Sequence, residues 1–404
     1  MRLAFGLALA LSGCAHGVPA AHALRIADNA DPDSLNPLLL HDQDTIGYAL
    51  LYCQTLVGLD ASNRLTPVLT TRLPTRSNGD ISADGRTLTY RLRRNVRFAD
   101  GSALTSADVA FTYRAIIDSR NNVLSQDVYR RIRNVTTPNP YTVVVRLKRP
   151  WNAAPAVLFA QADFAFGILP HRAFATSQVT HSAWNEHPYG TGPFRVVEWR
   201  RGDRVVLGRN PYFSPRPRLA RIELKMFPNP ESGFVALRAR EVDVAYVTPD
   251  ALERARALRG VRILRTPENA TIWLTLQTRK RPTDDLHVRR AIALAVDREA
   301  IAKTFHHAFP AASSFLPPVL KPYFDPTLRI ARPNVRAANA ELESAGWRWH
   351  GGLRAKGGMP LEGTFVLVAS HVVDVRVATV VQQELAQIGM RVAIKSSQRQ
   401  CLMR

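Results

Sequence analysis

Cysteine is scarce: three residues in 404, at positions 14, 53 and 401. Three cannot build a disulfide framework, their spacing is not that of a zinc site, and no Cys-His cluster accompanies them. Acidic residues are few against basic ones, 33 to 54, which leaves a formal charge of +21 and a pI near 10.8. Such an imbalance suits nucleic acid or an anionic surface. The arginines, however, are scattered through predicted strands and turns with acids between them. No basic stripe interleaved with aromatics is present, and no helix-turn-helix, finger or RNP-like segment. Nucleic acid is therefore left off the list of partners, while salt-dependent stickiness to acidic surfaces is expected. Also missing is a Gly-rich phosphate loop, a G-x-S-x-G elbow or an H-E-x-x-H pair. The carboxylates sit at predicted caps and turns rather than in facing pairs. His306 and His307 are neighbours on a predicted helix and so point apart. These absences argue against an enzyme, a bound metal and a cofactor.

What is present is enough chain for two or three domain cores. Hydrophobic residues make up 46% and charged residues 22%, the balance of a soluble globular protein. Met1-Arg2 forms a short basic region, and the apolar run at residues 3–11, LAFGLALAL, is too short to span a bilayer. Residues 1–23 thus read as an export signal. Directly behind the apolar run, LSGC at residues 11–14 has the form of a lipoprotein signal in which Cys14 is acylated, and residues 15–23 become a tether. A competing A-x-A site ends at Ala23.

The rest of the chain is organised around residues 81–118. Asp84-Gly85 suits a tight turn. Leu88, Tyr90 and Leu92 then alternate with Thr89, Arg91 and Arg93, the period of a strand with one buried face. Asp100-Gly101 marks a second turn. Thr105 and Asp108 have the spacing of a capping box, and Val109, Tyr113, Ile116 and Ile117 fall on one helical face. The pattern predicts strand, turn, strand, turn, capped helix.

The wording of this stretch, DGRTLTYRLRRNVRFADGSALTSADVAFTY, resembles the signature segment of the oligopeptide- and dipeptide-binding proteins, the family 5 solute-binding proteins that serve ABC importers of peptides and nickel. Other segments carry the same resemblance. They are the D-P-D-S-L-N-P turn at residues 31–37, GTGPF at 190–194, N-P-Y-F at 210–213, ALRAREVDV at 236–244, and the helix pair around Asp297 within 288–301. Two departures stand out: Cys53 where the family usually has an acid, and Arg240 where it has Gly. A small buried thiol accounts for the first.

The resemblance implies a two-lobed α/β fold of the periplasmic-binding-protein kind, type II-like, with an extra domain in lobe I. The core of lobe I would be residues 24–45 and 191–265, the extra domain 46–190, and lobe II 266–404. It also implies that a peptide or other small solute is bound between lobes, closes a hinge, and is delivered to an ABC permease. The protein would be a periplasmic monomer, attached to the membrane if Cys14 is acylated. Ligand contacts would come from the loop after the first strand (Asp42, Gln43, Asp44), from the alternating strand expected at 270–278 (Trp273, Gln277), and from the loop after Ala369 (Ser370, His371). Past Lys395 the family pattern stops at SSQRQCLMR, so the second lobe is expected to be incomplete and ligand binding weak. Two other readings fit the composition: a lipid-anchored basic interaction protein that binds acidic polymer, and a non-functional truncated fragment of a binding protein.

Overall fold

The computed structural model describes residues 23–29, 31–40, 43–124, 126–161, 167–265, 271–320, 324–328, 330–368 and 372–397. Contacts divide the chain into two compact units between Tyr246 and Val247. No helix among the described residues is long and apolar enough to cross a membrane. Cys14, Asp42, Ser370, His371 and Cys401 lie outside the described residues.

The first unit holds a four-stranded sheet in the order Ala23–Asp28, Arg221–Met226, Arg204–Arg209, Phe194–Arg200. The first two strands run parallel, Ala23 opposite Arg221, and the others antiparallel. On the far side of the first strand, Ile26 bridges Val244 in parallel. The chain between the first strand and this sheet's return at Phe194 builds a second sheet, Thr87–Arg91, Thr142–Leu147, Ile132–Asn139. It also forms the hairpin Val57–Leu59 with Leu65–Pro67.

The alternation in residues 88–93 is realised. Leu88, Tyr90 and Leu92 are buried, while Arg91 and Arg93 are exposed. Gly85 and Gly101 adopt φ of +67° and +90°, the left-handed turns that their dipeptides announce. The helix Ser106–Ile117 opens at Thr105, whose backbone N–H donates to the Asp108 carboxylate at 2.7 Å. Its apolar face, including Val109 and Ile116, joins a core that runs without a break from Leu35 through Tyr90 to Leu224. Asp80, only 2% exposed, accepts from Arg72 Nε at 2.6 Å and Arg91 Nε at 3.1 Å, which ties the approach to the second sheet to its first strand.

The second unit pairs Glu362–Val368 with Arg391–Ser397 in parallel, joined by the helix Val372–Ala386. Helices Leu286–Ala295 and Val335–Ser344 pack together through Val288, Ala291, Ile292, Ala338 and Leu342. Asp285, Asp297 and Asn334 cap successive helices by accepting from backbone N–H groups. Arg376 grips both oxygens of Asp250, at 2.8 and 2.7 Å, and donates to the Thr304 carbonyl at 2.8 Å. These bonds fasten the segment after Val247 to the helix Val372–Ala386.

Arg354 is fully buried in this unit. Its guanidinium donates to the Trp347 carbonyl at 2.7 Å, Asn339 Oδ1 at 2.8 Å and Glu343 Oε1 at 3.0 Å, and lies 4.8 Å from the centre of the Trp349 ring. Gly389 passes against it with φ of +73°. A Cβ there would meet Arg354 Cγ at 2.7 Å and the Trp349 ring at 2.8 Å.

Two local expectations are corrected. Residues 271–277 alternate as a strand should, but they form no ladder among the described residues, and Ile272, Trp273 and Leu274 are exposed. Alternation specifies two faces; it yields a strand only where a neighbour supplies hydrogen-bonding partners. His306 and His307 lie beyond the helix Arg298–Thr304, both with positive φ, and their N–H groups close its last turn onto Lys303 and Ala302.

Candidate functional site

Most of the segments that carry the resemblance lie in the first unit. At the C-terminus of the helix Gln43–Tyr52, the Tyr52 carbonyl accepts from Gly192 N–H at 2.9 Å. A Cβ on Gly190 would lie 2.3 Å from the Tyr52 carbonyl oxygen and 2.7 Å from Cys53 Sγ. Gly167 presses on the same cysteine from another passage of chain, its φ of +124° and a hypothetical Cβ 2.4 Å from Cys53 Cβ. The turn at Asp100-Gly101 joins them: Ala99 N–H donates to the Gly190 carbonyl at 3.0 Å. Burial first, then the Asp100 carboxylate, push the Tyr189 hydroxyl up to about 12. Asn210 Nδ2 donates to the Gly192 carbonyl at 2.9 Å. These motifs build a joint, and their glycines are there because backbone touches backbone.

Cys53 is 1% exposed, and burial pushes its thiol well above the usual range, so at neutral pH it is a protonated packing group. No group of three or more His, Cys, Asp or Glu side chains among the described residues could hold a metal ion. The turn at residues 31–37 is fixed by Asn36, fully buried, whose amide accepts from Leu38 N–H at 3.0 Å and donates to Asn185 Oδ1 at 2.8 Å.

A crevice opens in this unit at the carboxyl ends of the parallel strands Ala23–Asp28 and Arg221–Met226, where open α/β sheets characteristically take ligands. It is lined by Asp28, Asn29, Phe227, Asn229 and Tyr246, and at about 10 Å³ it has room for at most one water molecule. The Tyr48 hydroxyl donates to the Asp28 carboxylate from the helix Gln43–Tyr52. Gln43 and Asp44 occupy the first turn of that helix, one of the three places where contacts were expected.

In the second unit Trp273 is 59% exposed, and its ring lies 4.9 Å from that of Phe315, which is 64% exposed. The Trp273 indole N–H donates to Thr275 Oγ1 at 3.1 Å, which fixes the ring's orientation. Gln277 is otherwise engaged: its side chain accepts from Arg279 N–H at 3.2 Å, and its carbonyl takes the Thr283 hydroxyl at 2.7 Å. Gln277 therefore shapes the turn after residues 271–277. Phe315 was not among the residues expected to contact a ligand. Two large exposed rings in contact, outside both hydrophobic cores, are its distinguishing mark.

The profile of the bacterial extracellular solute-binding proteins, family 5 (middle region), matches residues 64–401. The XP55 protein of Streptomyces lividans is 30% identical over 345 residues, which cover 85% of this chain and 60% of that protein. The nickel-binding periplasmic protein of Escherichia coli K12 is 25% identical over 89% of this chain and 68% of its own length. Among solved structures, NikZ of Campylobacter jejuni in complex with Ni(L-His) superposes with a TM-score of 0.82. It is 25% identical, over 94% of this chain and 74% of that one. The oligopeptide-binding protein AppA of Bacillus subtilis, in complex with a nonapeptide, shares the fold at a TM-score of 0.81 and 22% identity, over 94% of this chain and 75% of that one.

Proposed function

The chain belongs to the bacterial extracellular solute-binding proteins of family 5, and on that premise we propose that it captures a peptide or a related small solute, such as a chelated metal, outside the cytoplasmic membrane and delivers it to an ABC permease. The observation that carries this reading is the agreement of sequence and fold. NikZ, a protein solved with a bound metal–amino-acid complex, matches nearly the whole chain in backbone and a quarter of its residues in identity. In this reading Trp273 and Phe315 supply an aromatic contact for the ligand's apolar groups. Ligand capture shifts the population toward a closed form in proportion to its differential affinity for that form.

Calorimetric titration of the full chain with short peptides, and separately with nickel–histidine, tests the function. Saturable binding of either class supports it; no heat from any member of either class overturns it. Substituting Trp273 or Phe315 by Ala is expected to weaken the positive titration by about tenfold. The melting temperature should stay within about 2 °C, because neither ring is buried in a core. A fall in stability with unchanged affinity would assign the pair to folding instead.

We also propose that the chain is anchored through an acylated Cys14, supported by LSGC directly behind the apolar run. Cys14→Ser is expected to abolish incorporation of labelled fatty acid. A wild-type chain that is unlabelled and begins at Leu24 would overturn the anchor and favour the soluble form.

A further inference from the structure

We infer that one end of the second sheet in the first unit is a docking surface for anionic phospholipid headgroups, formed by Arg86, Arg131, Arg133, Arg146, Lys148 and Arg149. The sheet register brings these residues together. Leu147 N–H donates to the Arg86 carbonyl at 2.7 Å, and Lys148 N–H donates to the Arg131 carbonyl at 2.9 Å. The three chain passages therefore end side by side, at a strand spacing of about 4.8 Å. Arg146 stands opposite Thr87 on one neighbour and Asn134 on the other, and Arg133 lies in the irregularity between Ile132 and Asn134. All six side chains are exposed.

Several other basic groups of the unit are neutralised by a neighbouring acid. Arg64 pairs with Asp60, Arg72 and Arg91 with Asp80, Arg120 with Asp118, and Arg130 with Asp127. None of the six makes an ion pair among the described residues. Asp84 is the acid that tempers them. The Ser82 hydroxyl, the Arg86 backbone N–H and the Arg86 charge hold its carboxyl below the usual range. That leaves most of the positive charge at the sheet's end uncompensated within about one Debye length of like charges. Like charges set on adjacent strands repel, and an array of phosphates placed against them removes that repulsion.

The chemistry distinguishes the occupant. Five of the six are arginines, whose guanidinium forks match phosphate oxygens. A single-stranded nucleic acid is held by exposed rings on which bases stack. Here the nearby Trp151 ring is half-buried, packed against the core and covered by Arg131 at 4.8 Å, so it offers no stacking platform. A row of phosphate-reading groups without a base platform fits the headgroup layer of an anionic bilayer. This surface is distinct from the ligand-contact residues proposed above, and its occupant is independent of the solute.

Co-sedimentation of the full chain with vesicles of phosphatidylcholine, with and without phosphatidylglycerol, tests the assignment. The decisive variant replaces Arg86, Arg133, Arg146 and Lys148 by Gln and keeps Arg131 on Trp151. A control variant removes charge elsewhere through Arg279→Gln, Lys280→Gln and Arg281→Gln. Anionic-vesicle binding is expected to fall about tenfold or more in the first variant and to change less than about twofold in the second, with unchanged circular dichroism in both. Equal loss in both variants would reduce the effect to net charge and overturn the site. So would wild-type binding by the first variant, or tighter binding of the wild type to single-stranded DNA than to anionic vesicles at physiological salt.

Discussion

Gly190→Ala is expected to destabilise the first unit by about 3 kcal/mol, whereas Gly47→Ala should stabilise it by a few tenths to about 1 kcal/mol. Gly47 lies within the helix Gln43–Tyr52 and Gly190 packs on its C-terminal end, and they differ in what surrounds them. Gly47 is exposed, with nothing within 4 Å of a hypothetical Cβ, so alanine there only improves helix propensity. At Gly190 the added carbon would stand 2.3 Å from the Tyr52 carbonyl oxygen and 3.0 Å from Cys53 Cα. Those neighbours are backbone and cannot rotate away. Relief requires the returning chain to lift off the helix end, which loosens the Gly192–Tyr52 and Ala99–Gly190 hydrogen bonds together. Urea unfolding, followed by hydrogen exchange at amides of residues 43–210, reads both variants. A Gly190→Ala protein with the wild-type midpoint would mean that the joint is looser than described.

Arg354→Ala is expected to cost the second unit about 3 kcal/mol, and Arg354→Met about half as much. Alanine removes three hydrogen bonds and the stem that fills space against the Trp349 ring. Methionine restores most of that volume and carries no charge to desolvate. It still leaves the Trp347 carbonyl without its donor, which keeps a residual cost. Glu343 is about half exposed and can be solvated when its partner goes, so the full penalty of a stranded buried charge does not apply. Near-wild-type stability of the alanine variant in urea would show that the buried guanidinium contributes specificity of packing rather than energy.

How much of this was legible from sequence depends on how far apart the partners lie. The strand at Leu88–Leu92, the cap at Thr105–Asp108 and the helix around Val288–Ala295 are local patterns, and each appears where its period placed it. Asp108 was recognised as a cap, but its second task was invisible. The same buried carboxylate accepts from His171 N–H at 2.9 Å and contacts His171 Nδ1 at 2.7 Å, across 63 residues of chain. Arg354 is harder still, because an isolated arginine between Leu353 and Ala355 reads as a surface residue. Only the close approach of Gly389 and two tryptophans reveals it as core. Residues 271–277 misled in the opposite direction, since their alternation was genuine but they form no ladder among the described residues. Of the expected contact residues, Trp273 gained a companion in Phe315 that no local rule could have supplied, and Gln277 is also engaged in the turn that follows it.

The parallel pairing of the first strand has a consequence for the order in which the unit assembles. Arg25 donates to Asp243, 218 residues further along, through its backbone N–H at 2.8 Å and its guanidinium at 3.1 and 2.8 Å, while its neighbours pair with residues 221–226. Nothing local can satisfy Ala23–Asp28. At 5–20 residues per second, a growing chain leaves this strand waiting roughly 10–40 s for its partners. Closing so long a loop is slow even after synthesis is complete. The strand therefore lacks its native partners long after the 81–118 unit has the residues it needs to fold.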